Sequence, residues 1–279
     1  MNRNFRLVLC VVLIIVSFSI GACSSIGKQP ITAPESAKVQ QVDTIKDKPA
    51  GAALLAVPRG VPVLMYHSIG DEPDNDAVIS KERFAEQMAF LYKQHYNPLT
   101  LDELASYIKE SQPLPAKPVV ITFDDGYRDT YEVAMPILKQ YGFRSIVFIP
   151  VGEVGTNLTW EQLKEMKTSG MQVGSHSYLH RELAKLSQTE QAAEVAKSKE
   201  VLDRNLNQDT RWFCYPYGSY DAATLQLLRD KGMTIAVTTN PGWAKAGDNP
   251  LLLNRVWIGN SVDLRHFEER LSKEDYSIL

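Results

Sequence analysis

Short apolar runs alternate with longer amphipathic segments from Gly60 onward. Apolar runs of five or six residues that are rich in Val and Ile are typical of buried strands, whereas apolar residues spaced three and four apart are typical of helices. The predicted strands are residues 61–66, 98–101, 119–123, 145–150, 171–175, 212–215, 234–238 and 253–258.

Capping residues mark the ends of the intervening helices. A Ser or Thr followed three residues later by Glu or Gln forms a capping box at a helix N-terminus, and Gly often ends a helix. The candidates are the boxes Thr159 with Gln162 and Ser187 with Glu190, the cap Asp221 before a helix over 222–231, and the terminal residues Gly142 and Gly232. Repeated alternation of strand and helix predicts an α/β fold with a mainly parallel sheet. With this many units, a closed or nearly closed (β/α) barrel is the simplest arrangement.

Charge and cysteine content narrow the class of protein. The 279 residues carry a formal net charge of −3 with both signs interspersed, so nucleic acid is not an expected partner. Of the three cysteines, Cys10 and Cys23 precede the periodic part of the chain and Cys214 lies within it. One thiol cannot form an intrachain disulfide, so we expect the fold to depend on its apolar core.

The first 58 residues differ in composition from the rest. Arg3 and Arg6 precede an apolar run over 7–20, followed by Gly21-Ala22-Cys23. This order is typical of a bacterial lipoprotein signal, and the run is too short to span a bilayer comfortably. We expect a signal peptide over 1–22, lipid on Cys23, a disordered tether over 23–58 and a domain over 59–279. The domain would then lie outside the cytoplasm, anchored to a membrane, with an uncleaved anchor as the alternative.

Two segments carry the residues that suggest chemistry. Thr122-Phe123-Asp124-Asp125-Gly126 follows one apolar run and His176-Ser177-Tyr178-Leu179-His180 follows another. Taken alone, the first could be a turn or a helix cap, and the second could lie on an ordinary helix face. Both, however, stand where a predicted strand ends, which is where α/β enzymes assemble their sites. One carboxylate and two imidazoles can bind a divalent metal, and the second carboxylate can serve as a base. The pattern predicts a metal-dependent hydrolase.

The same segments resemble the first two signature motifs of the NodB-type polysaccharide deacetylases, carbohydrate esterase family 4. Residues 213–218, Phe-Cys-Tyr-Pro-Tyr-Gly, resemble the third motif. Residues 63–67, Val-Leu-Met-Tyr-His, are similar to the opening strand of the branch that includes poly-N-acetylglucosamine deacetylases. The resemblance extends from about residue 61 to 267, with the motifs in the expected order. It implies a distorted seven-stranded barrel and removal of acetyl groups from a glycan.

The resemblance also implies roles for individual residues. It makes Asp125, His176 and His180 the metal ligands, and Asp124 the general base that accepts a proton from the attacking water. A set of two histidines and one carboxylate suits zinc, while cobalt or nickel could substitute. The backbone N–H of Tyr217, in a rigid Pro-Tyr-Gly loop, would help to hold the oxyanion.

In one position the chain departs from the family pattern. Many members carry an arginine two residues before the motif proline, where it orients the base, and here that residue is Cys214. We expect Cys214 to be a buried filler. Arg255, on the predicted strand 253–258, is a hypothetical substitute for the missing arginine.

A histidine is the natural acid to protonate the leaving amine near neutral pH. His67 ends a predicted strand and therefore shares the rim with Asp124, so it is the expected general acid. His266 formally matches the Leu-x-His of a further family motif, but its surroundings predict a surface or packing residue on a helix. For His95, at a helix end, a capping role is expected.

The expected substrate is an acetylated amino-sugar polysaccharide outside the cytoplasm. Tyr66, Trp243 and Tyr220 are candidates for aromatic walls that stack on sugar rings. A glycoside hydrolase is one alternative, since paired carboxylates also cleave glycosidic bonds. The other is a non-catalytic glycan-binding lipoprotein. The sequence leaves open N- or O-deacetylation and the identity of the glycan.

Overall fold

Seven parallel strands close into a barrel at the centre of the fold. The computed structural model describes residues 60–276 together with the short strand Leu54–Leu55. The barrel strands are β1 (Val63–Tyr66), β2 (Pro118–Phe123), β3 (Ser145–Ile149), β4 (Met171–Ser175), β5 (Trp212–Cys214), β6 (Ile235–Pro241) and β7 (Leu253–Trp257). They are hydrogen-bonded in the order β1-β7-β6-β5-β4-β3-β2, and β2 pairs again with β1. The predicted seven-stranded (β/α) barrel is confirmed.

Helices surround the barrel and connect its strands. They are α1 (Lys81–Lys93), α2 (Leu101–Glu110), α3 (Met135–Gln140), α4 (Trp160–Thr168), α5 (Gln188–Leu206), α6 (Ala222–Asp230) and α7 (Leu264–Ser272). The predicted caps at Thr159, Ser187 and Asp221 all form capping boxes. Gly142 and Gly232 follow helix ends with φ of 64° and 73°, as a terminal glycine allows.

No helix among the described residues is long and apolar enough to cross a membrane. The expected signal peptide 1–22 and Cys23 lie outside the part of the chain that the structure describes. So does the expected tether 23–58, except for Leu54–Leu55. That segment pairs antiparallel with Leu114–Pro115, so regular structure occurs within the stretch that composition predicted to be disordered.

The predicted strand over 98–101 is largely wrong. Only Asn97–Pro98 is extended, and it pairs with the start of β2. Thr100 instead forms a capping box with Glu103, and Leu101 begins helix α2. The local hydrogen bonds of the box therefore override the strand preference of the apolar residues around it.

Alternate residues of the strands pack in different clusters. Ile121 of β2 belongs to the cluster shared with the helices α1 and α7, whereas Val120 belongs to a cluster that also contains buried side chains of α2. Continuing the second face of β2 beyond Val120 leads to Thr122 and then to Asp124, both buried. The barrel is therefore apolar where it meets α2 and polar at the carboxyl ends of its strands.

Candidate metal centre and active site

The residues of both chemical motifs lie at the carboxyl ends of barrel strands. Asp124 and Asp125 directly follow β2, and His176 directly follows β4. His67 directly follows β1, and Trp257 is the last residue of β7. Because all seven strands are parallel, these ends share one rim, which is where barrel enzymes carry their active sites.

Asp125, His176 and His180 converge on one point. Oδ1 of Asp125 lies 3.3 Å from Nε2 of His176 and 3.1 Å from Nε2 of His180, and the two imidazole nitrogens are 3.1 Å apart. Ligands about 2.1 Å from a tetrahedral zinc ion are separated by roughly 3.4 Å. The three atoms thus form the expected group of candidate ligands, and the spacing fits a small divalent cation.

The hydrogen bonding of His176 fits the same interpretation. Its Nδ1 lies 2.8 Å from the carbonyl oxygen of Cys214. Because a carbonyl only accepts, Nδ1 must carry a proton, so in the neutral imidazole Nε2 is the nitrogen that is free to bind a metal. A carbonyl acting on the second nitrogen in this way is typical of metal-binding histidines.

The carboxyl of Asp125 is strongly acidic in this setting. Burial alone would raise its pKa, but the hydrogen bonds of His176 and His180 and the charges of His176 and His67 outweigh burial and hold the pKa well below its usual range. Conversely, burial would lower the pKa of His180, and the contact with Asp125 outweighs that effect and raises it. Asp125 is therefore a carboxylate at ordinary pH, which is the form that could bind a cation.

The segment from His176 to His180 is a turn and not a helix, so the alternative of a plain helix face is wrong. Ser177 and His180 have φ of 63° and 55°, and Asp125 has φ of 66°. Non-glycine residues adopt this left-handed region at a cost of about 1–3 kcal/mol each, and they persist only where surrounding contacts impose it. Two of the three candidate ligands, Asp125 and His180, thus have this conformation.

Asp124 forms a buried, bidentate ion pair with Arg255. The guanidinium nitrogens Nη1 and Nη2 donate to Oδ1 and Oδ2 of Asp124 at 2.8 and 2.6 Å. Arg255 is fully buried and also donates to the carbonyl oxygen of Thr238 and to Oγ1 of Thr122. Burial alone would raise the pKa of Asp124, but Arg255 outweighs it and lowers the pKa. The structure thus places Arg255 where the sequence hypothesis put it, with the buried Cys214 thiol 3.2 Å from Nη2.

His67 lies beside this ion pair. Its Nε2 is 3.9 Å from Oδ2 of Asp124, and its ring packs against Trp257 with centroids 5.0 Å apart. Burial lowers the pKa of His67 and outweighs the opposing charge of Asp124. The indole N–H of Trp257 donates to Asp76 at 2.7 Å. Sequence reasoning missed Trp257, although its position at a strand end was a usable signal.

The structure distinguishes the remaining histidines. His266 lies in the first turn of α7, where its Nδ1 is 2.8 Å from Asp263. His95 is exposed and its backbone N–H donates to Tyr92 at the end of α1. Both contacts fit the surface and capping interpretations. Tyr217, in contrast, borders the triad of candidate ligands Asp125, His176 and His180, because its ring packs on His180 with centroids 4.7 Å apart.

Two of the three proposed sugar-stacking residues belong to the core. Tyr66 is fully buried and donates its hydroxyl to Gln87, and Trp243 is buried and donates to the carbonyl oxygen of Arg270. Both are therefore wrong as sugar-stacking walls, and Tyr220 packs on Tyr215. The large apolar side chains that are exposed near the triad are those of Tyr127, Leu179 and Tyr217.

Tyr127 was also missed by sequence reasoning. Burial and then the charge and hydrogen bonding of Asp125 raise the pKa of its hydroxyl to about 12. Its place directly after the Asp-Asp-Gly segment was the available signal. Tyr127 is therefore a neutral hydroxyl next to a candidate ligand.

Similarity to known proteins agrees with this geometry. A family model described as polysaccharide deacetylase matches residues 111–236. YxkH of Bacillus subtilis (strain 168), named as a polysaccharide deacetylase, is 34% identical over 262 residues, which cover 91% of this chain and 93% of the relative. The poly-β-1,6-N-acetyl-D-glucosamine N-deacetylase of Staphylococcus aureus (strain MSSA476) is 26% identical over 71% of this chain and 72% of its own length. The structure of the Streptococcus pyogenes deacetylase PplD in complex with acetate superposes with a TM-score of 0.73 at 33% identity, covering 78% of this chain and all of that one.

Proposed function

The chain belongs to the polysaccharide deacetylase family, and we propose that it is a metal-dependent N-deacetylase that acts on an amino-sugar polysaccharide outside the cytoplasm. The observation that carries the proposal is the convergence of Asp125, His176 and His180 at 3.1–3.3 Å beside an aspartate that is held ionised. A bare structural role would not explain two imidazole nitrogens directed at each other and at a carboxylate.

Asp125, His176 and His180 would hold the cation, with zinc the first expectation. When bound there, a divalent ion would polarise the acetamide carbonyl and make the attacking water more acidic. The donor set also suits cobalt or nickel.

Asp124 would act as the general base. Arg255 keeps its carboxylate ionised and fixes its direction, so it can accept a proton from the water that adds to the acetyl carbon. A positioned base of this kind typically contributes a factor of about 10²–10⁴ in rate. Arg255 would thus do for Asp124 what the motif arginine does in other members of the family.

His67 would act as the general acid. As the carbon–nitrogen bond breaks, the leaving nitrogen takes a proton from His67, and the products are acetate and a free amine. The backbone N–H of Tyr217 would donate to the carbonyl oxygen as it gains negative charge. Tyr217 has a φ of 56°, a strained conformation that is common at active sites, and this supports a functional role for the loop.

The engagement of the two aspartates argues against a glycosidase. The carboxylate of Asp124 accepts hydrogen bonds from Arg255, and the carboxylate of Asp125 contacts His176 and His180. Glycoside cleavage needs two carboxyl groups on opposite sides of the scissile bond, roughly 5–10 Å apart. Adjacent residues at one strand end do not provide that arrangement.

The name of the S. aureus relative supports a poly-β-1,6-N-acetylglucosamine-like substrate, from which the N-acetyl group would be removed as acetate. We further propose a lipid anchor on Cys23, with residues 1–22 as its signal peptide and 23–58 as a tether. The basic residues, the apolar run over 7–20 and Gly21-Ala22 support this part of the proposal.

The decisive experiment measures acetate release by the full chain from β-1,6-linked N-acetylglucosamine oligomers. We expect release that a chelator abolishes and that added zinc or cobalt restores, and none from the Asp124→Asn variant. New reducing ends would indicate a glycosidase, and binding without product would indicate a glycan-binding protein. Either outcome would overturn the proposal.

A further inference from the structure

Helix α5 directs two buried side chains at the turn that carries both candidate histidine ligands. Oε2 of Glu194 accepts hydrogen bonds from the backbone N–H groups of Tyr178 at 3.0 Å and Leu179 at 2.7 Å. One turn further along the helix, Oγ of Ser198 lies 2.5 Å from Oγ of Ser175, at the end of β4. Glu194 is 4% exposed and Ser198 is fully buried.

Side chains satisfy every backbone N–H of the turn from residue 177 to 180. Ser175 accepts from Ser177, Glu194 accepts from the next two residues, and Ser177 accepts from His180 at 3.0 Å. A turn in which two of four residues have left-handed φ is not stable by its own backbone preference. Its shape is therefore held by these acceptors, together with the backbone hydrogen bonds that the carbonyl oxygens of Ser177 and Tyr178 accept from Val151 and Gly152.

We propose that Glu194 is a positioning residue that sets the affinity of the metal site. Its carboxylate fixes the two peptide groups midway between His176 and His180, and thereby fixes the separation of their Nε2 atoms. Among the described residues no Lys or Arg side chain forms an ion pair with Glu194. The nearby ammonium of Lys197 lies instead over the ring of Tyr178, 3.8 Å from its centroid. The hydrogen bonds to the turn are thus the contacts that account for a buried acid at this position.

This inference rests on the proposed metal site, and its test has a readout that does not require turnover. Zinc affinity of the full chain is measured by titration against a competing chelator, for the wild type and for Glu194→Gln and Glu194→Met. Loss of a side chain that supports metal ligands from outside typically weakens metal binding about 10–100-fold. We expect that loss for Glu194→Met, and a loss of less than about 10-fold for Glu194→Gln, because one amide oxygen can still accept from both N–H groups.

Matched controls come from the same helix. Glu200 is exposed on α5, and the ion pair it forms among the described residues is with Arg204 on the surface, so Glu200→Gln and Glu200→Met should leave zinc affinity unchanged. Cobalt spectra of each variant report whether the ligand geometry around the ion has altered.

The outcomes separate this inference from the proposed function. Wild-type chain that binds no divalent metal would overturn both. Wild-type affinity in a folded Glu194→Met variant would overturn the role of Glu194 alone. Should Glu194→Met fail to fold, Glu194→Gln decides, and an unchanged affinity and cobalt spectrum there would refute the inference.

Discussion

Replacing Arg255 by Met tests the buried ion pair at the centre of the candidate site. The guanidinium and the Asp124 carboxylate are both almost completely buried and are joined by contacts of 2.8 and 2.6 Å. Breaking a buried pair by removing one partner costs about 3–5 kcal/mol, because the other charge is left uncompensated. For a domain of this size, each kcal/mol shifts Tm by about 2–4 °C, so we expect Tm to fall by roughly 6–20 °C.

A double-mutant cycle isolates the pair from the lost packing. Asp124→Asn leaves the guanidinium buried without its partner and should also destabilise the fold strongly. The double variant removes both charges, so its loss in free energy of unfolding should be smaller than the sum of the two single losses by at least about 1 kcal/mol. Urea denaturation measures all four proteins. Losses that simply add would show that the two residues do not support each other.

The same substitution should change the pH dependence of activity. In the wild type, Arg255 outweighs burial and lowers the pKa of Asp124. The pair therefore contributes stability above the unfolded pKa of about 3.9, and this is lost as pH falls through the lower folded pKa. Without Arg255, burial is opposed only by the charges of His176 and His67, so the folded pKa of Asp124 should rise. The acid limb of the pH–rate profile should then move to higher pH, and an unmoved limb in a folded Arg255→Met protein would refute the positioning role.

Two further predictions concern the neighbourhood of Asp124. His67→Gln should lower kcat about 10²–10⁴-fold while zinc affinity stays at the wild-type value, because His67 is proposed as the acid and not as a ligand. His266→Gln is its matched control, and an equal effect of the two would contradict the assignment. Gly259→Ala would place a Cβ 2.0 Å from the carbonyl oxygen of Asp76 and 2.6 Å from Nε1 of Trp257. We expect about 1–3 kcal/mol of destabilisation and a reduced kcat, since Trp257 packs on His67. Gly70→Ala, with no neighbour nearer than 3.4 Å, should be close to neutral. A Gly259→Ala enzyme with wild-type kcat would show that Trp257 does not hold His67.

Much of the fold followed from local patterns because the barrel strands are buried runs with recognisable ends. All six residues of β2 are buried, which is why the apolar run over residues 119–121 marked it. The capping boxes at Thr159 and Ser187 could also be predicted, because the two residues of each box are only three positions apart. The box at Thr100 follows the same rule and was overlooked, which produced the wrong strand over 98–101.

The contacts that complete the site could not be derived from neighbouring residues. An arginine within the apolar run around Leu253 was a usable signal, but its partner Asp124 is 131 residues away. Glu194 looks like an ordinary charged residue of a long helix, and only the packing of α5 on the turn reveals its two acceptor contacts. Tyr66 and Trp243 were misassigned because an aromatic residue near a strand end has the same sequence signature whether it faces the core or the rim.

Strand β3 carries none of the three candidate ligands, but it lies between two strands whose ends carry them and so sets the distance between those strands. It lies between β2 and β4, and adjacent strands are about 4.8 Å apart, so the two sources of ligands stand roughly 9.6 Å from each other. Gly174 of β4 has room for no Cβ, because Phe148 of β3 would lie 2.8 Å from it. A larger side chain at Gly174 would push β3 and β4 apart. That displacement would change the distance between the candidate ligands without any contact between the new side chain and a bound ion. Searches for variants with altered metal preference should therefore include residues of β3 and those that pack on it.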